Sequence, residues 1–176
     1  MYAYEKAILK TYRQTEAFIK STEKAILRGA YASFSQRGSA LRIAEELLEL
    51  KFQKAELEAL KDAIDQSLSE MKPCHAYVLG VKYGAGSLGV GQTLEKTDGY
   101  YKKTAYALGK FVFSMKKKGY SNSAYQALCD KYHYIKNAYE GFVRFEEGLK
   151  KSGNLLVGKN SLKQKKISFP AKQAQE

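Results

Sequence analysis

Residues 39–69, SALRIAEELLELKFQKAELEALKDAIDQSLS, decide the fold. Apolar side chains recur there at Leu41, Ala44, Leu47/Leu48, Phe52, Leu57, Leu60, Ile64 and Leu68, in steps of three and four that place them on one helical face. Glu45, Glu49, Lys54, Glu58, Lys61 and Asp65 fall on the opposite side, spaced as solvated i,i+4 pairs. The pattern predicts a single long amphipathic helix whose apolar stripe turns inward.

Upstream, Tyr4, Ile8, Tyr12, Thr15, Phe18/Ile19, Thr22 and Ile26 keep the same period, which predicts another long helix. Ser33, Ser35, Gly38 and Ser39 lie between the two runs and suit the end of one helix and the cap of the next. Residues 1–70 therefore read as an antiparallel helical hairpin, a unit for dimerisation or partner contact.

Downstream, Pro73 is a good first residue for a helix, and residues 76–83 (AYVLGVKY) are apolar and partly β-branched. A helix is preferred there over a strand, because no second strand is at hand to pair with it. Residues 84–91, GAGSLGVG, read as a glycine-rich loop. A basic helix over 97–118 follows, with Tyr101, Ala105, Leu108, Phe111/Val112 and Met115 toward a core and Lys102, Lys103, Lys110, Lys116, Lys117 and Lys118 toward solvent or a polyanion. Gly119 stops it and residues 121–123 can cap the next. From there Tyr125, Leu128, Tyr132, Ile135, Tyr139, Phe142, Phe145 and Leu149 predict one long aromatic-faced helix ending near Ser152. The lysine-rich remainder, 153–176, is expected to be loosely ordered, with a weak hairpin option between NLLV and ISF. The fold class is thus all-α: a helical hairpin over 1–70, a basic helical region over 71–152 and a basic tail over 153–176.

Charge divides along the same line. The 176 residues carry a net charge of +12, yet residues 1–70 hold 11 basic and 11 acidic groups, so the whole excess lies in residues 71–176. A cationic half beside a neutral one points to phosphate backbones, anionic lipid or an acidic protein. With 44% hydrophobic and 27% charged residues and two prolines, the chain has the composition of a folded protein rather than a disordered one. No apolar stretch approaches membrane-spanning length and MYAYEK has no apolar signal region, so a cytoplasmic protein is expected. Two cysteines, Cys74 and Cys129, form no disulfide framework, which fits a reducing compartment.

Enzymatic readings find little support. The glycine loop lacks a Gly-Lys-Ser/Thr ending and a βαβ frame, so a nucleotide site is not expected. Cys74 and His75 are adjacent and diverge on a helix, so with Cys129 and His133 they make a poor zinc set. No nucleophile stands beside a base in a recognisable pattern. The expectation is a non-enzyme without cofactor or metal. Tyr100 and Tyr101 beside Lys102 and Lys103 combine aromatic and basic groups, as nucleic-acid surfaces do.

Val81-Lys82-Tyr83, followed by Thr97, Tyr100, Tyr101, Lys102, Lys103, Ala107 and Leu108, resembles the ArpU/RinA-type transcriptional regulators of phages and Firmicutes. Those regulators are similar in turn to the C-terminal helix-turn-helix region of sigma factors. The resemblance spans about a hundred residues from position 47 onward. It implies a small DNA-binding regulator, with DNA ahead of RNA as ligand, whose hairpin self-associates or contacts RNA polymerase. The nucleic-acid contacts expected are Lys96, Thr97, Tyr100, Tyr101, Lys102, Lys103, Lys110, Lys116 and Lys117. The competing expectation is a non-enzymatic helical adaptor whose cationic half binds an acidic partner or a membrane surface.

Overall fold

A computed structural model describes the backbone of residues 2–35, 40–85 and 99–164, and the side chains of 2–31, 40–85 and 99–150. Within them lie six helices: α1 (Ala3–Ser35), α2 (Ala40–Ser69), α3 (Pro73–Tyr83), α4 (Tyr100–Lys117), α5 (Asn122–Lys131) and α6 (His133–Gln164). The fold is all-α, and no strand occurs among the described residues. The chain divides into two compact units, Met1–Tyr139 and Glu140–Glu176.

Helices α1 and α2 form the expected antiparallel hairpin. Tyr12 donates a hydrogen bond to Asp65 (2.6 Å), Lys54 pairs with Glu23 (3.3 Å), and Gly29 meets Leu47. Partner numbers thus rise along α1 as they fall along α2. A Cβ at Gly29 would stand 2.7 Å from a Leu47 methyl, so the Leu47 side chain seats against α1 where glycine offers no side chain.

The core lies at one end of this hairpin. Ile8, Leu9 and Tyr12 of α1 and Leu57, Leu60, Ile64 and Leu68 of α2 are buried. Each such aliphatic side chain contributes about 1.5–3 kcal/mol by leaving water. The buried threonines Thr11 and Thr15 donate their hydroxyls to carbonyls one turn back, which satisfies them inside an apolar face. Helix α3 packs on α1 and α2, and α4 packs on α3 and α2, so the basic helix and the hairpin share one core within the first unit.

Toward the other end of the hairpin the inward stripe expected on α2 is only partly inward. Ile43 is buried, but Leu41 is 77% exposed, Phe52 is 65% exposed, and Ala44 and Leu48 are exposed as well. Helix α2 therefore carries two apolar rows. The one that includes Ile43, Leu57, Leu60 and Ile64 is covered, and Leu41, Leu48 and Phe52 form another that faces solvent.

Residues 76–83 are helical, within α3. Pro73 opens the helix and Gly84, at φ 78°, closes it in the left-handed region with its N–H donated to the Gly80 carbonyl at 2.7 Å. Helix α4 ends similarly, with Gly119 at φ 90° and the Tyr120 N–H returning to the Met115 carbonyl. Ala105, expected inward on α4, is exposed, as is Tyr101.

The single aromatic helix expected from 121 to 152 is instead two helices. Ser121 caps α5, accepting a bond from the Ala124 N–H, and the chain then breaks at Tyr132, which is extended at φ −119°, ψ 98°. The cause is tertiary. The Tyr132 hydroxyl donates to a Glu56 carboxylate oxygen at 2.7 Å, the same oxygen that Lys131 approaches at 2.8 Å. Meanwhile the Tyr132 carbonyl accepts from the Ile135 N–H at 3.0 Å and so starts α6. Tyr134, carried past the break, reaches the Thr15 hydroxyl at 3.1 Å. Near the start of α1, Tyr4 stacks on Tyr139 (4.2 Å between centroids) and on Tyr125 (5.7 Å). Within the second unit, Phe145 and Leu149 are exposed. Helix α6 also runs on to Gln164, where a loosely ordered tail was expected from 153; no proline falls between its start at His133 and Pro170. That helix includes the NLLV arm of the weak hairpin option, and the ISF arm lies outside the described residues.

The Glu56 cluster has a pH signature. Burial works against the Glu56 charge, but the hydrogen bonds from Lys131 and Tyr132 outweigh it and hold the carboxyl below its usual 4.5. A depressed carboxyl stabilises the fold above its unfolded value, and that contribution is lost as pH falls through the folded one. Glu56→Gln is expected to cost about 1 kcal/mol at neutral pH, a modest figure because the carboxylate is 40% exposed. It should also flatten the fall in stability below pH 4.5. Urea unfolding of both proteins between neutral and acid pH checks this, and parallel curves would remove the cluster from the account of the α5–α6 break.

Candidate nucleic-acid interface

Helix α4 reads YYKKTAYALGKFVFSMKK, with five lysines and no carboxylate. Its buried face, Thr104, Ala107, Leu108, Phe111, Val112, Ser114 and Met115, is pinned to α2 by polar contacts as well as by packing. The Ser114 hydroxyl donates to a Glu70 carboxylate oxygen at 2.6 Å, and the Ser67 hydroxyl donates to the Met115 sulfur at 3.3 Å. These contacts fix the rotation of α4 about its axis and so determine which side chains point away.

Lys103, Lys110 and Lys117 point away together. They are seven residues apart, two helical turns, so they form one row with a rise of about 10.5 Å between successive members. All three are exposed. Tyr106 and Phe113 form a parallel row, 55% and 60% exposed. The ammonium of Lys110 lies over the Tyr106 ring at 5.5 Å, and that of Lys117 over the Phe113 ring at 4.6 Å, both i,i+4 cation–π pairs. His75 of α3 meets the Tyr106 ring edge-on at 5.2 Å.

Alongside these rows runs a groove of about 320 Å³, walled by the end of α2, the start of α3 and the outer side of α4. Lys72, Lys110, Lys117 and His75 line it. Its one carboxylate, Glu70, is already engaged, by Lys118 at 2.7 Å and by Ser114. Those two, Lys118 foremost, hold the Glu70 carboxyl below the usual carboxylate range. No salt bridge of Lys72, Lys102, Lys103, Lys110, Lys116 or Lys117 occurs among the described residues.

The residues expected at the interface are placed as follows. Lys96 and Thr97 lie outside the described residues. Tyr100 begins α4, half-buried, with its ring against Tyr101 (5.4 Å) and under the Lys82 ammonium (5.8 Å). Tyr101 and Lys102 are exposed. Lys103, Lys110 and Lys117 share the row, whereas Lys116 turns toward a separate cleft beside Tyr2, Glu5 and Asn122. Lys72, His75, Tyr106 and Phe113 were not expected. For Tyr106 and Phe113 the signal was present, as the same seven-residue spacing that the lysines show; Lys72 and His75 join only through the packing of α3 on α4.

Cys74 is exposed and Cys129 buried, and no group of three His, Cys, Asp or Glu that could hold a metal occurs among the described residues. No described helix is long and apolar enough to cross a membrane. Comparison with protein-family models, with curated proteins and with solved structures yields no match.

Proposed function

We propose that this chain is a non-enzymatic nucleic-acid-binding protein, a small transcriptional regulator of the phage type, that meets DNA through the outer face of α4. The observation that carries the reading is the row Lys103, Lys110 and Lys117, exposed and without a neutralising carboxylate on its helix. A polyanion with closely spaced charges gains most from such a row, because each phosphate neutralised releases condensed counterions. In this reading Tyr100, Tyr101, Lys102 and Lys116 extend the contact to either side, and Lys96 and Thr97 continue it before α4. A recognition helix seated in the major groove would use the same outer face. The exposed Cys74 thiol fits a reducing compartment, which favours the cytoplasm.

The exposed row Leu41, Leu48 and Phe52 favours a second role for the hairpin, as a contact for another copy or for RNA polymerase. The same row supports the competing reading of a helical adaptor, in which the lysines of α4 bind an acidic protein or an anionic membrane surface.

Fluorescence-anisotropy titration of duplex DNA at several salt concentrations separates the two. Intact protein should bind with a steep salt dependence, and Lys102→Glu/Lys103→Glu should weaken binding and shallow that slope. Absence of binding even at low salt would discard the nucleic-acid reading in favour of the adaptor.

A further inference from the structure

Two large aromatic rings of α4, Tyr106 and Phe113, stand more than half exposed, each with a lysine four residues on lying over it. Packing does not account for them, since the opposite face of α4 supplies the core. The rings border the groove in which Lys72, Lys110, Lys117 and His75 converge. Flat apolar rings interleaved with cations are the two ingredients that bind single-stranded nucleic acid, ring faces for bases and cations for phosphates.

We infer that the α3–α4 groove is a site for unpaired nucleotides, with bases stacked on Tyr106 and Phe113 and phosphates held by Lys72, Lys110 and Lys117. The inference rests on the reading of α4 as a nucleic-acid surface and deepens it. Duplex DNA has its base faces already stacked on one another, so it can use the lysine row but not the rings. A single strand can use both. The groove volume of about 320 Å³ lies at the small end of ligand-pocket sizes, so it would take part of a strand while the rest follows the lysine row. Charge complementarity selects the occupant. Glu70, which lines the groove, is paired with Lys118 and bonded by Ser114, so Lys72, Lys110 and Lys117 leave the groove with an excess of positive charge.

The test uses the full chain and three fluorescent probes at one salt concentration: an oligo-dT of about twelve nucleotides, within the range of single-strand site sizes, an abasic sugar-phosphate oligomer of equal length, and a duplex. Intact protein should bind oligo-dT about tenfold more tightly than the abasic strand, the scale of one or two stacked bases. Tyr106→Ala/Phe113→Ala should abolish that difference, and its loss of duplex affinity should stay smaller than its loss on oligo-dT. Tyr106→Leu/Phe113→Leu keeps apolar bulk without a ring, so it should behave the same way and guards against a folding defect, checked by circular dichroism. Equal affinity for oligo-dT and the abasic strand, or an oligo-dT preference that survives both double variants, overturns the stacking site and leaves the duplex reading standing. Displacement of oligo-dT by polyglutamate as effective as by unlabelled oligo-dT also overturns it and assigns the groove to an acidic polypeptide. Failure of all three probes to bind at low salt overturns both readings together.

Discussion

Phe111→Ala is expected to lower the unfolding free energy by about 3–5 kcal/mol, while Phe113→Ala, two residues along the same helix, should change it by less than about 0.5 kcal/mol. Phe111 has no exposed surface and sits on the face that α4 turns to its neighbours; Phe113 is 60% exposed. Removing the Phe111 ring forfeits its transfer from water and leaves a cavity that α2 and α3, held by their own contacts, cannot fill. Removing the Phe113 ring leaves the site to water. Chemical denaturation followed by circular dichroism measures both. The contrast matters for function because the rotation that buries Phe111 is the rotation that turns Lys103, Lys110 and Lys117 outward. Equal costs at the two positions would mean that α4 is oriented otherwise, and the basic row would lose its structural basis.

Reversing that row should have the largest effect on binding. Lys103→Glu/Lys110→Glu/Lys117→Glu takes the net charge of +12 down by six units, and so does Lys10→Glu/Lys24→Glu/Lys51→Glu on the exposed surface of the hairpin. If only net charge attracted DNA, the two variants would weaken equally. With the row as the contact, the α4 variant should lose about 100-fold or more in affinity, from three lost phosphate contacts and three new repulsions, and the hairpin variant only a few-fold through the long-range field. Anisotropy at one fixed salt concentration compares them. A hairpin variant as impaired as the α4 variant would return the binding to non-specific attraction.

Much of the fold was readable because its signals are local. The three-four spacing of residues 39–69 corresponds to Ala40–Ser69 within a residue, and Pro73 and Gly84 bracket α3 as their backbone preferences require. What the spacing could not reveal depends on distant partners. Tyr132 sits in register with an unbroken aromatic stripe, and it breaks the helix because Glu56, 76 positions away, holds its hydroxyl. On α2, Leu41 and Leu48 have the same apolar character as Leu57 and Leu60, and their sequence carries no mark of which row a neighbouring helix covers. The candidate site divides in the same way. Lys103, Lys110 and Lys117 were visible as outward cations, whereas Lys72 and His75 reach them only through tertiary packing, and Lys116, adjacent in sequence to Lys117, faces a different cleft.

Lysine footprinting tests the central claim most directly: acetylation of the intact protein with and without duplex DNA, read residue by residue by mass spectrometry. The account predicts that DNA protects Lys103, Lys110 and Lys117, with lesser protection at Lys102 and Lys116, and leaves the exposed hairpin lysines Lys10, Lys24 and Lys51 as reactive as before. Protection spread evenly over both groups, or confined to the hairpin, would contradict it.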